Sequence, residues 1–351
     1  MNFLIILGLS LTFLISYVLG ANDAATPCDT SVGSGVISIK KALILFCIFT
    51  ALGALTQGYM VIKTIGSGII PEINAFGAFI IVLSTSTWLI TASALGIELS
   101  ITHAVIGSII GYGIATIGLE KMNLSILYKI FISWFSSPIL SIALSYILYS
   151  LTLKLLRNKN KFERFFKAFL IVNLCFSAYS FGVNDVGNAT GVYVTVLGIK
   201  PESLNPSTAL PLTLLGCIGI LIGGFTLGPR VIKTVGFKIT CLDAISGSIA
   251  ELSNALIVYL FSYLPYIILG YGMPISTSLA SVGAVVGIAL KKGFIKNGKS
   301  TLAFLALMWL LTPIITAFLS ITFFTLINSM GDLRFNFTQR NLTLSCCSAS
   351  L

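Results

Sequence analysis

Two short polar runs, Gly20-Ala21-Asn22-Asp23 and Gly182-Val183-Asn184-Asp185, interrupt apolar sequence, and each carries one of only 11 acidic residues in a chain of 351. An ionised carboxylate in hydrocarbon costs roughly 2.5–3.5 kcal/mol on insertion scales, so it needs a partner, a water-filled cavity or a bound ion. Carboxylate and carbonyl oxygens suit a hard cation such as Na⁺, and free N–H groups at a half-helix start suit an oxyanion. Asn22, Asp23, Asn184, Asp185 and Asn188 are therefore the candidate cation ligands. Taken singly, each Asn-Asp pair reads equally well as a helix cap or an interfacial turn; duplication in register favours an ion site.

The surrounding residues bear on how such a site could be exposed. Between Gly20 and Gly35 the sequence mixes Gly, Pro, Asn and hydroxyl residues, and Asn188 and Thr190 extend the second copy. That mixture breaks helices and exposes backbone groups, so a broken or re-entrant helix is expected at both motifs. Irregular backbone at membrane depth survives only when buried in protein or lining a cavity. Glu251, inside another apolar run, is a further ionisable candidate. Lys63, Arg230 and Lys233 could guide an anion, although snorkelling at the interface is the simpler reading. His103 is the sole histidine, which removes paired-imidazole metal sites and Ser-His chemistry with a second His. Seven cysteines, at 28, 47, 175, 217, 241, 346 and 347, lack CxxC spacing and read as small apolar residues.

Composition places these residues in a bilayer. Hydrophobic residues make up 56% of the chain and charged ones 9%, against about 25% charged in a soluble domain; the mean hydropathy is +1.01. Ten apolar stretches cover 3–19, 42–62, 75–97, 101–118, 130–153, 168–181, 209–228, 244–269, 275–290 and 301–327. The first lacks a basic leader and reads as a retained helix. The net charge of +10 sits in short loops, where a cytoplasmic excess of Lys and Arg explains it better than nucleic acid does.

An internal repeat runs through the chain. Lys63-Thr-Ile-Gly66 matches Lys233-Thr-Val-Gly236, the run from Ser100 to Gly107 matches Ser276 to Gly283, and Trp134 with Pro138 matches Trp309 with Pro313. With the Asn-Asp motifs, the offsets are 162, 170, 176 and 175, always in the same order. Placing the basic clusters Lys40-Lys41, 154–167, Arg230 to Lys238 and Lys291 to Lys299 in the cytoplasm requires five crossings per half and leaves both termini outside. An odd number inverts the second half relative to the first. The fold expected is an all-α polytopic membrane protein, with 10–12 segments in two inverted-topology repeats. Residues 1–153 and 168–330 form the repeats, 154–167 a basic cytoplasmic linker and 331–351 a tail.

With these motifs in hand, the chain resembles the inorganic phosphate transporter (PiT) family from about residue 3 to 327. Gly20, Asn22, Asp23, Ala25 and Thr30 to Ser34 follow that family's first motif, and Asn184, Asp185, Asn188 and Ala189 its second copy. Pro274, Ser276, Thr277 and Ser278 follow the family's Pro-Val-Ser-Thr-Thr-His run, as do Ser100, Thr102 and His103. Departures fall at Thr26, Pro27, Asp29, Ile101, Val192 and Leu279. The resemblance implies a phosphate site formed by Thr30, Ser31, Ser100, Thr102, His103, Ser276, Thr277 and Ser278. Hydroxyls bind phosphate oxygens without adding charge.

The implied activity is secondary transport of inorganic phosphate across the cell membrane, by symport with Na⁺ or H⁺ and alternating access at the repeat interface. No cofactor is expected beyond the coupling ion, and the partners are phosphate, that cation, lipid and, as an allowed assembly, a second copy of the chain. Paired carboxylates repel a lone anion, so the cation should raise phosphate affinity and phosphate should raise cation affinity equally. Alternatives are a sulfate permease of the same fold, a passive anion channel or receptor, and an intramembrane aspartyl protease using Asp23 and Asp185. The last would need a Gly-x-Gly-Asp motif where residues 182–185 read Gly-Val-Asn-Asp.

Overall fold

A computed structural model describes residues 3–95, 99–156, 159–235, 242–293 and 299–348, leaving aside the side chains of 94, 159–160, 233–235, 299–301 and 330–348. Arg157, Lys238, Cys241 and Lys296 lie outside the described residues, as do the side chains of Lys159, Lys233, Lys299 and the tail. The helices are Phe3–Asp23 (α1), Ala25–Gly33 (α2), Ile39–Gln57 (α3), Tyr59–Lys63 (α4), Ala75–Ala94 (α5), Ile101–Thr116 (α6), Leu124–Leu155 (α7), Glu163–Thr190 (α8), Leu210–Thr226 (α9), Gly228–Val235 (α10), Ala244–Leu269 (α11), Thr277–Lys292 (α12) and Lys299–Ser348 (α13). No strand occurs among the described residues.

Each of the ten apolar stretches carries a helix. Among the described residues, seven spans are long and apolar enough to cross a membrane, α1 and α2 counting as one. The 16-residue α6 and α12 and the 17-residue α9 reach ~24–26 Å at 1.5 Å per residue, short of a ~30 Å hydrocarbon core.

Starts follow local chemistry. Asn74, Ser100, Asn123 and Ser276 cap α5, α6, α7 and α12 by accepting a backbone N–H three residues on. Asp243 and Ser246 form a reciprocal capping box at α11. Burial would raise the Asp243 carboxyl, but the Ser246 N–H and the Lys292 ammonium outweigh it and hold it below its ordinary value.

The expectation of a break at both Asn-Asp motifs requires correction. In the first half α1 ends at Asp23 and α2 begins at Ala25, with Ala24 alone as the interruption. In the second half α8 continues straight through Asn184 and Asp185 to Thr190. Its glycines serve helix contact instead: a Cβ on Gly182 would strike the Thr50 carbonyl oxygen, and one on Gly187 would lie 2.8 Å from the Ile62 nitrogen.

Close backbone contact is the general packing device. Outward-facing Phe135, Ile139, Leu151, Ile314 and Phe318 are exposed, and lipid is as apolar as they are, so helices associate through small residues and hydrogen bonds. The contacts are reciprocal between the halves. Gly182 of α8 meets Thr50 of α3 while Gly20 of α1 meets Ile220 of α9; Gly53 meets Tyr179 while Gly223 meets Tyr17. Thr56 bonds the Tyr179 hydroxyl at 3.0 Å and Thr226 the Tyr17 hydroxyl at 2.9 Å. Likewise Gly107 and Gly111 of α6 pack on Pro313 and Ala317 of α13, and Gly283 and Gly287 of α12 on Pro138 and Ile142 of α7. Positions separated by the sequence offsets of 162, 170, 175 and 176 therefore make matching contacts. In two helical hairpins, α5–α6 and α11–α12, the residues that lead into the second helix are buried: Leu99, Ser100, Ile275 and Ser276.

Candidate functional site

On α8, Asn173, Ser177, Asn184 and Asn188 recur at intervals of four, seven and four, which puts them on one helical face. Helix α11 runs beside it in the same direction and matches the face rung by rung. The Asn173 amide donates to the Ser248 carbonyl at 2.9 Å, the Asn254 amide to the Ser177 hydroxyl at 3.2 Å, and the Ser262 hydroxyl to Asn184 Oδ1 at 3.3 Å. Such rungs satisfy groups that lipid could not.

At the far end of this face the two hairpin turns meet the carboxylate. Asn184 donates to the Ile275 carbonyl at 2.8 Å and accepts the Ile275 N–H at 3.1 Å, so its amide holds the backbone just before α12. Thr102, in the first turn of α6, donates to the same carbonyl at 3.0 Å. Asn188 donates to Thr102 Oγ1 at 2.9 Å and to Asp185 Oδ1 at 3.0 Å. Asp185 also accepts from Asn184 at 3.2 Å and from the Thr277 hydroxyl. Asn184, Asp185, Asn188, Thr102 and Thr277 are all buried. Two helix N-termini, those of α6 and α12, thus converge on one buried carboxyl group. Each presents first-turn N–H groups and a fractional positive charge, the equipment of an oxyanion site.

Other candidates occupy different places. Ser100 and Ser276 spend their oxygens on the α6 and α12 caps. Thr30 donates to Glu251 Oε2 at 2.7 Å, away from the hairpin turns. Ser31, Ser278 and Asp23 are buried and Asn22 is half-buried. Ser177, Asn254, Ser262 and the Ile275 backbone are participants that motif reading passes over; the four-residue rhythm of polar residues along α8 was the available signal.

His103 answers a need created by proline. Pro313 has no N–H and deprives the carbonyl four residues earlier, that of Trp309, of its helical partner. His103 Nδ1 lies 3.0 Å from that oxygen, and since a carbonyl only accepts, Nδ1 carries the proton. The ring also packs on Trp134, with centroids 3.8 Å apart. Matched Pro138 in α7 frees the Trp134 carbonyl in the same way, but the residue matching His103 is Leu279, which has nothing to donate. We expect His103→Leu to lower thermal stability in detergent by about 1–3 kcal/mol by orphaning a buried acceptor. Adding Pro313→Ala, which restores the helical N–H, should recover part of that loss; a double variant no better than His103→Leu alone would show that the bond to Trp309 is not what matters.

Apolar helices enclosing a buried polar face, on which two helix N-termini converge, define a polytopic membrane transporter rather than an enzyme. More narrowly, the chain belongs to the phosphate transporter family, whose sequence model matches residues 19–320. It is 28% identical to a candidate phosphate permease of Haemophilus influenzae over 91% of this chain and 95% of that one. A second, from Pyrococcus furiosus, is 28% identical over 93% and 97%. A solved structure described as a sodium-dependent phosphate transporter superposes with a TM-score of 0.82 at 26% identity, covering 93% of this chain and 99% of that chain.

Proposed function

We propose that this protein carries inorganic phosphate by symport with Na⁺, binding the anion between the N-termini of α6 and α12 and the cation against Asp185. The observation that carries this reading is the junction itself: Thr102 on one hairpin bonds Ile275 on the other, while Asn188 ties Thr102 to Asp185. Helix N-termini and the hydroxyls of Thr102, Thr277 and Ser278 suit phosphate oxygens, whereas an unneutralised Asp185 repels them. A Na⁺ on the carboxylate reverses that sign and makes the two ligands mutually dependent. Asn184 and Asn188 supply further oxygens, with Asn22 and Asp23 as the matched set from the first half. The sodium-dependent relative supports Na⁺ over H⁺.

Reciprocal packing supports two inverted repeats, 1–153 and 168–330, joined by a cytoplasmic linker at 154–167, with both termini outside. Alternating access then follows from rocking one set of helices against the other around the α8 face. Labelled-phosphate uptake into proteoliposomes should rise steeply with an inward Na⁺ gradient and resist a large excess of sulfate. Uptake that persists without Na⁺ at fixed pH but follows a proton gradient would replace Na⁺ by H⁺, and full competition by sulfate would make the protein a general oxyanion carrier.

A further inference from the structure

Lys63-Thr-Ile-Gly66, one of the repeated motifs, lies off the α8 face and grips a different part of the second hairpin. Helix α4 ends at Lys63 and widens into a π turn over Thr64–Gly68, a local form that recurs at functional sites. The Lys63 ammonium donates to the Gly270 carbonyl at 2.9 Å, at the C-terminus of α11. The Thr64 hydroxyl donates to the Gly272 carbonyl, and the Gly272 N–H donates to the Met60 carbonyl at 3.0 Å. Gly66 completes the motif: a Cβ there would lie 2.5 Å from the Gly191 carbonyl oxygen, so the π turn rests directly on the end of α8. Lys129 of α7 adds a bond to the Tyr271 hydroxyl at 3.0 Å. Among the described residues neither lysine pairs with a carboxylate; both direct their charge at this turn. From it, Gly272 to Ser276 runs as buried, non-helical chain into α12. Five residues take the strap from exposed Gly270 to Ile275, at most ~17 Å of chain. Its exposed end is held by α4 and α7, and its buried end by Asn184 and Thr102 on Ile275.

We propose that Lys63 and Thr64 are positioning residues for phosphate binding: by holding the exposed end of the strap 270–276, they keep the first turn of α12 aimed at the site beside Asp185. The inference rests on the reading above, in which phosphate binds at the N-termini of α6 and α12. The N–H groups and the Thr277 hydroxyl of that turn help an anion only when they are already in place, and a chain tethered at both ends has less freedom to lose on binding than one tethered at its buried end alone. Gly272 makes the tether close, since a Cβ there would lie 3.0 Å from both the Met60 carbonyl carbon and the Ser262 carbonyl oxygen. Lys63 touches neither ion in this arrangement and acts through the strap. Thr64 separates that role from simple attraction of the anion, because it grips the same strap and carries no charge.

The test compares phosphate binding in detergent and uptake into proteoliposomes, at saturating Na⁺, for wild type, Lys63→Met, Lys63→Arg, Thr64→Val and Thr64→Ser. Lys63→Met and Thr64→Val should each raise the phosphate Kd and KM about tenfold. Both should leave Vmax within about twofold of wild type, the mark of lost binding rather than lost turnover. Lys63→Arg and Thr64→Ser keep a donor in each place and should return Kd to within about threefold of wild type. Hydrogen exchange over 270–276 should be faster in Lys63→Met, and the double variant should bind little worse than either single one, because both act on one strap. If Lys63→Met is not recovered as monodisperse protein, the pair Thr64→Val and Thr64→Ser carries the test. Wild-type Kd in both Lys63→Met and Thr64→Val, even with lower thermal stability, would overturn the inference. So would a KM shift in Lys63→Met that vanishes at high salt while Thr64→Val binds as wild type does, since that result marks long-range attraction of the anion. No phosphate binding by wild type would instead reject the phosphate reading itself.

Discussion

Replacing Asp185 with Asn is expected to reduce phosphate uptake by about 100-fold or more and to weaken its dependence on Na⁺. Two effects combine. The substitution removes the negative charge that holds the cation, and charge-assisted bonds of this kind contribute roughly 1.5–3 kcal/mol each. It also disturbs a matched set of donors: Asn184 donates to one carboxylate oxygen and Asn188 to the other, whereas an asparagine offers one oxygen and turns an N–H toward the second donor. Phosphate binding should weaken with cation binding, because the two are linked. The check is paired, with labelled-phosphate uptake and ²²Na⁺ binding measured on the same preparation. Wild-type uptake with unchanged Na⁺ dependence would remove Asp185 from the site. Asp23→Asn, at the matched position, is expected to act in the same direction.

The second large effect concerns assembly. Gly182 of α8 rests against the backbone of α3, where a Cβ would collide with the Thr50 carbonyl oxygen and come within 2.9 Å of the Ala54 nitrogen. Neither atom belongs to a flexible side chain, so relief requires the helices to separate. That separation would also break the bond from Thr50 Oγ1 to the Ala178 carbonyl, 3.1 Å long. Gly182→Val should therefore destabilise the protein by about 3 kcal/mol or more, seen as loss of the monodisperse peak after mild heating. Gly247→Ala is the contrasting case. A Cβ there meets nothing closer than 3.6 Å, and alanine is the better helix former, so a gain of about 0.5–1 kcal/mol is expected. Equal behaviour of the two variants would mean that the close crossings do not hold the bundle together.

Glycine was also where the sequence was easiest to misjudge. Gly182 and Gly187 flank the Asn-Asp motif and resemble helix breakers, yet both lie inside α8 and mark where another backbone comes near. The free helix ends belong to Ser100 and Ser276, each a capping residue followed by an apolar run, a pattern that was legible in principle. The ten helical segments were readable because apolar length is a local property. Contacts such as Ser262 with Asn184 were not, since a serine in an apolar helix bonds its own backbone as readily as a neighbour; Ser262 does both. Thr30 shows the same limit from the other side. Its motif pointed to the anion, and its hydroxyl reaches Glu251, 221 positions along the chain.

The unequal pair His103 and Leu279 has a further consequence. With perfectly matched halves related by inversion, as we propose, exchanging their roles would convert the outward-open form into the inward-open form at equal energy. His103 ties one hairpin to α13 with a bond that Leu279 cannot copy on α7. A buried hydrogen bond contributes about 1 kcal/mol, enough to set a resting ratio of about five to one between two otherwise balanced states. In that reading, a bond made in only one of the two forms would bias the idle transporter toward one side of the membrane.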